Sequence, residues 1–319
     1  MSTESRSGGD HGAARGPGGI DASSVDQVRG PVPRQQGLGP FITLIETEQP
    51  DGLVARWESR RHRKQAPTAS GAGASTWWAP GARGWWIAIL FAVGSALFAL
   101  GAVPGYVGAV GARPDSITFF VGSVFFTGAG FLQYRESVDA GSKAPPRGLG
   151  KVFVWRPGQI DWWASGIQLI GTLYFNVSTG DAVRVDLSAQ AAHQHVWRPD
   201  AIGSVCFLVA SGLAWSEVCH GWMAWSPKSI PWQITALNLV GSVAFGVSAV
   251  AGYIVPSTGQ IRNIELSNLG TFVGALCFLA GAVLLLPERT AGSPARPTPP
   301  APSLQNTAPT PGTSSTAAT

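Results

Sequence analysis

The chain has 319 residues, of which 13% are charged, with a formal net charge of +4. An ordinary soluble domain carries about 25% charge, so this composition excludes that class and points to an integral membrane protein. The slight basic excess follows the placement of Lys and Arg beside apolar stretches, not a nucleic-acid-binding surface.

In chain order, residues 1–83 read as a cytoplasmic tail. Residues 1–36 are rich in Gly, Ser, Arg and Pro and are expected to be disordered. Residues 41–58 differ, because Pro50-Asp51-Gly52 separates two strand-like runs and predicts a β-hairpin. A lone hairpin is marginal in water and needs a partner surface. Arg60, Arg61, Arg63 and Lys64 follow. They read either as a solvated orientation signal or as a site for anionic lipid. A small-residue linker over 66–82 leads to the first apolar stretch. No apolar signal-peptide core is expected in the first 80 residues.

No Asp, Glu, Lys or Arg occurs in 85–110, 116–134, 162–180, 201–216, 229–261 or 266–287. A spanning helix needs about 20 mainly apolar residues, so six transmembrane helices are predicted over 84–288. The fourth stretch is short and is expected to extend to Arg198 and Glu217. Lys and Arg cluster before the first span, after the second, after the fourth and after the sixth. That bias places both termini in the cytoplasm of a cell membrane. A short surface helix is expected over 186–195, and residues 289–319 read as a disordered Pro/Ala/Thr-rich tail.

Each span carries a glycine and, four residues later, a phenylalanine. The pairs are Gly94 with Phe98, Gly122 with Phe126, Gly171 with Phe175, Gly203 with Phe207, Gly241 with Phe245, and Gly274 with Phe278. In odd spans a tryptophan (Trp85, Trp162, Trp232) precedes the glycine by nine residues, and in even spans a glutamate (Glu136, Glu217, Glu288) follows it by fourteen. The fold expected is therefore all-α, with three two-helix repeats over 84–136, 160–217 and 230–288 forming a pseudo-threefold bundle. Small residues permit close helix approach in membranes, and helical rise puts each glycine level with the phenylalanine of its pair partner. A ring packed into each glycine notch is the expected stability device.

The spans hold no ionisable residue, which argues against proton coupling and intramembrane hydrolysis. Gln168, Asn238, Asn176 and Thr235 are candidate solute ligands or interhelical hydrogen-bonding groups. Glu136, Glu217 and Glu288 oppose the dipole of the helices they end. They are candidates for a cation-attracting ring at the cytoplasmic mouth. The alternative is pairing with nearby tryptophan indoles, Arg135 or Arg289. His193 and His195 fall on the opposite side from Cys219 and His220, so no metal site is expected, nor is any cofactor. Neither a Walker loop nor another catalytic motif occurs.

The run Trp85-Trp86-Ile87-Ala88-Ile89-Leu90-Phe91-Ala92-Val93-Gly94-Ser95-Ala96-Leu97-Phe98, followed by Gly122-Ser123-Val124-Phe125-Phe126, resembles the YrhK-like membrane domain. The Trp-Arg-Pro-Asp-Ala run at 197–201 is similar to one in six-span actinobacterial proteins. The resemblance covers about 84–288, implies a bacterial multi-pass membrane protein, and supplies no catalytic residues. A non-enzymatic structural, regulatory or stress-related role follows as the expectation. A channel or facilitator for a small neutral solute or cation is the alternative.

Overall fold

The computed structural model describes residues 33–48, 54–64, 75–140 and 154–291. The Pro50-Asp51-Gly52 turn, most of the linker and the tail beyond 291 lie outside them. A small antiparallel sheet comes first, with β1 (Arg34–Leu38), β2 (Phe41–Glu48) and β3 (Val54–Glu58) in the order β1-β2-β3. The expected hairpin is β2 paired with β3. The third strand is a correction to the tail expected to be disordered through residue 36, since β1 begins at Arg34 and shifts register at Gln36/Gly37.

A single-turn helix, α1 (Ser59–Lys64), follows β3 directly. The longer helices are α2 (Arg83–Gly101), α4 (Ala112–Asp139), α5 (Ile160–Ala182), α7 (Arg198–Cys219), α8 (Ile230–Ala251) and α9 (Ile264–Ala291). Two short ones are α3 (Tyr106–Val110) and α6 (Ala189–Ala192), the latter running through a π-helical turn, His193–Trp197, into α7. The expected surface helix over 186–195 is thus the first part of a continuous helical run.

Among the described residues, five helical segments are long and apolar enough to cross a membrane: α2, α4, Ala189–Cys219, α8 and Ile264–Thr290. The chain is a multi-pass, predominantly α-helical membrane protein. The stretch predicted as the third span forms α5, which has the length but carries Asp161, Gln168, Asn176 and Asp181. It sits in the same ring of helices. α2 packs on α4, α4 on α5, α5 on α7, α7 on α8, α8 on α9, and α9 closes back onto α2.

The polarity of the bundle is inverted relative to a protein in water. Val124, Leu173, Val205, Val243 and Val250 are at least half exposed. Ser95, Ser123, Thr172 and Ser242, each following a glycine of the repeated element, are fully buried. Lipid does not penalise the exposed aliphatics, and small interior residues let backbones approach. The buried hydroxyls return their protons to the preceding turn, as Thr172 Oγ1 does to the Leu169 carbonyl at 2.7 Å, or cross to another helix, as Ser211 does to Ser242 at 2.7 Å. Ser95 Oγ is the exception, buried with no hydrogen-bond partner among the described residues.

The glycines mark the closest approaches. A Cβ built on Gly94 would lie 2.7 Å from Phe126 Cδ2 and 2.9 Å from the Gly122 carbonyl oxygen. One on Gly171 would lie 2.9 Å from both Cys206 Cβ and Phe207 Cδ2. The other four face the phenylalanine of the paired helix in the same way. Cys206 and Cys277, both unpaired, belong to this packing surface and to no disulfide.

The six phenylalanines fill the axis as two stacked triangles. Phe98, Phe175 and Phe245 form one, with ring centroids 6.1–6.4 Å apart. Phe126, Phe207 and Phe278 form the other, at 5.6–6.1 Å. Contacts of 5.1–5.5 Å join the triangles through each helix pair. The centre of the bundle is a closed aromatic core. We call the end that carries the sheet and α1 proximal, and the other end distal.

Candidate functional site at the proximal mouth

α4, α7 and α9 all end at the proximal face, and each presents a glutamate in its last turn: Glu136, Glu217 and Glu288. The C-terminus of a helix is unfavourable for a carboxylate, so a cation is needed to hold these charges. α1 supplies it. Arg60, Arg63 and Lys64 occupy positions i, i+3 and i+4 and share one face of the turn, while Arg61 and His62 face solvent.

Each cation reaches a different glutamate. Arg60 donates to both oxygens of Glu288, Nε at 2.7 Å and Nη2 at 3.1 Å. Arg63 donates to both oxygens of Glu217 at 2.9 and 3.2 Å, and its Nη1 also lies 3.0 Å from Asp161 Oδ2. Lys64 Nζ is 3.1 Å from Glu136 Oε2. Ser59 Oγ donates to Glu217 Oε1 at 2.7 Å, adding a neutral bond to the most buried carboxylate. Two of the three pairs are bidentate, the geometry in which guanidinium binds carboxylate most strongly. Burial disfavours the Arg63 charge, but the Glu217 and Asp161 carboxylates outweigh it and hold its pKa above the ordinary value.

The ring expected at the mouth is therefore occupied by the chain's own basic cluster. Three of the four cations considered for anionic lipid, Arg60, Arg63 and Lys64, face carboxylates, and Arg61 is the outward one. Most alternative partners of the glutamates are engaged elsewhere, while the buried Trp162 indole nitrogen has no hydrogen-bond partner among the described residues. The Trp85 and Trp232 indoles donate to the Trp77 and Ala224 carbonyls at 2.8 and 2.7 Å. Arg289 Nη2 donates to the Ser75 and Thr76 carbonyls, and Arg135 Nη2 lies 3.4 Å from Asp139.

Beneath the ring lies a cavity of about 50 Å³ that reaches down to Phe278. Gln168, Asn238 and Thr235 line it, together with Gln133, Ser137 and Ser165. It has room for a few waters, at about 10–15 Å³ of such space each. Asn176 stands apart, donating to Thr127 Oγ1 at 2.7 Å between α5 and α4. A second cavity, about 590 Å³, separates the sheet and α1 from the segment over 218–232. Glu217 lines both cavities and Glu288 the larger one, so part of the ring is also reached from the side.

The sheet is fastened at one further point. Thr43, fully buried, shares a 3.0 Å hydrogen bond with Nδ1 of His220, which ends α7 with a positive φ of 52°. Burial pushes the His220 pKa below its ordinary 6.5, against the raising effect of Glu58, Glu217 and Glu46 and together with Arg56. The docked state thus binds fewer protons than the released one. Docking should be firmest above pH 6.5 and weaken as pH falls. Energy transfer between dyes on the sheet and on the 221–229 loop should drop on acidification, and His220→Ala should flatten the profile.

Two features escaped the sequence reading. Asp161, in the first turn of α5, joins the ring through Arg63. Trp78, Trp155 and Trp225, each seven residues before Trp85, Trp162 or Trp232, make edge-on ring contacts with them at 5.1–5.3 Å. Proline follows each by two residues, and the Pro80, Pro157 and Pro227 carbonyls accept from Trp86, Trp163 and Gln233. The Trp-x-Pro spacing was the available signal. Compared with family models, curated proteins and solved structures, the chain matches none of them.

Proposed function

We propose that the chain is a non-enzymatic regulatory membrane protein whose N-terminal module docks on the mouth of a six-span bundle. The reading takes the bundle as three two-helix repeats in a cell membrane, with both termini cytoplasmic. The resemblance to the YrhK-like domain and the charge bias of the flanks support that arrangement. The observation that carries the function is the match between one basic helical turn and three glutamates on α4, α7 and α9. Docking couples a solvent-facing module to three helices at once, which is what a regulatory element requires. Release of α1 would also free Arg60, Arg61, Arg63 and Lys64 to meet anionic lipid, at about 1 kcal/mol per charge near the surface.

A second reading, a facilitator for a small neutral solute or cation, is favoured by Gln168 and Asn238 in the cavity beneath the ring. The phenylalanine triangles stand against it in this conformation. The combined variant Glu136→Gln, Glu217→Gln and Glu288→Gln discriminates the two. Under the regulatory reading it releases α1, seen as rapid tryptic cleavage within Ser59–Lys64, while expression is unchanged and liposomes show no flux. Solute flux in wild-type liposomes that the variant abolishes would replace the first reading with the second.

A further inference from the structure

Resting on the docking just proposed, we infer that the proximal mouth is a binding site for a linear organic polycation of the polyamine class, with α1 as its tethered occupant. The acidic residues alone would not carry this. Two further observations do. The first is that cationic groups are already seated in the site. Two guanidinium groups bind bidentately and one ammonium sits at 3.1 Å, all from one helical turn. The second is the 590 Å³ cavity that opens on Glu217 and Glu288 from the side, within the roughly 300–1,000 Å³ range of small-molecule sites.

The spacing of the carboxylates selects the ligand. Among the described residues, no three His, Cys, Asp or Glu side chains stand close enough to hold one metal ion. A compact divalent ion therefore satisfies only part of the ring. α1 satisfies all of it because its charges are spread along about 6 Å of helix, four residues at 1.5 Å rise. A flexible chain with amines a few carbons apart reproduces that spread. Four carboxylates, Glu136, Asp161, Glu217 and Glu288, face three α1 cations, so the site is not over-neutralised by its occupant. The Trp232 ring on the wall of the side cavity offers a cation a further favourable surface. Arg56, Arg61 and Arg289 also line that cavity, and they make entry depend on the ligand displacing α1 instead of lying beside it.

The test uses the full-length protein in lipid nanodiscs and spermidine as the probe. Tryptic cleavage within Ser59–Lys64 is followed against spermidine concentration, with magnesium chloride at matched ionic strength as the control. Trypsin activity is calibrated on an unrelated substrate in each buffer. The expected result is a saturable rise in cleavage of tenfold or more with spermidine, little change with magnesium, and no further rise in the triple glutamine variant. Should that variant misfold, Glu288→Gln alone must shift the spermidine midpoint. Equal effects of spermidine and magnesium would reduce the phenomenon to charge screening and overturn the inference. Wild-type protein that is protected from trypsin and indifferent to spermidine would overturn the ligand while leaving docking intact. Rapid cleavage without any addition would overturn both.

Discussion

Replacing Arg63 with alanine should release α1 and the sheet from the bundle. The guanidinium is buried, holds both oxygens of Glu217, and lies within 3.0 Å of Asp161. Its removal leaves Glu217, only 2% exposed, as an uncompensated carboxylate beside a second one. Breaking a buried ion pair from one side costs about 3–5 kcal/mol, and α1 has few other contacts with which to absorb that loss. Ser59 donates one neutral bond to Glu217, and Arg60 and Lys64 hold the remaining glutamates. Arg61→Ala, on the solvent face of the same turn, should change docking by no more than about 0.5 kcal/mol. Equal behaviour of the two variants in tryptic protection would contradict the geometry of the mouth.

Gly171→Leu should prevent assembly of the membrane domain. The first added carbon alone meets Cys206 Cβ and Phe207 Cδ2 at 2.9 Å, and leucine brings three more behind it. Overpacking typically costs about 1–3 kcal/mol where a core can adjust. Adjustment here means separating α5 from α7, and Phe207 is locked between Phe126, Phe175 and Phe278. We expect aggregation or loss of the monodisperse peak in size-exclusion chromatography. Gly246→Leu is the matched control, because nothing lies within 4 Å of a Cβ at that position. A normal elution profile and melting temperature for Gly171→Leu would show that the notch has room that the packing denies.

The bundle was legible because its determinants are local and periodic. Small residues at spacings of four and seven mark one helix face within a single segment, and the recurrence of Gly and Phe in paired helices pointed to the glycine notches but not to the ring contacts along the axis. α5 forms over the stretch read as the third span, although Gln168, Asn176 and Asp161 dilute its apolar character. β1 has the sequence Arg-Gln-Gln-Gly-Leu, without alternation, and its strand state comes from pairing with β2. The docking of α1 is a contact across 72 to 228 residues of sequence, set by three dispersed glutamates. A six-residue helix has no periodicity from which to foresee it. Its basic residues resemble the flanking charge that orients most membrane proteins.

Docking of α1 on the glutamate ring should persist in the membrane-embedded protein. Amide hydrogen exchange across Ser59–Lys64, in nanodiscs, tests it most directly. A lone helical turn has no stability of its own in water, so protection there can come only from docking. Slowed exchange is expected in the wild-type protein, with near-complete loss of that protection in Arg63→Ala. Exchange in the wild type as fast as in a free peptide of the same sequence would contradict it.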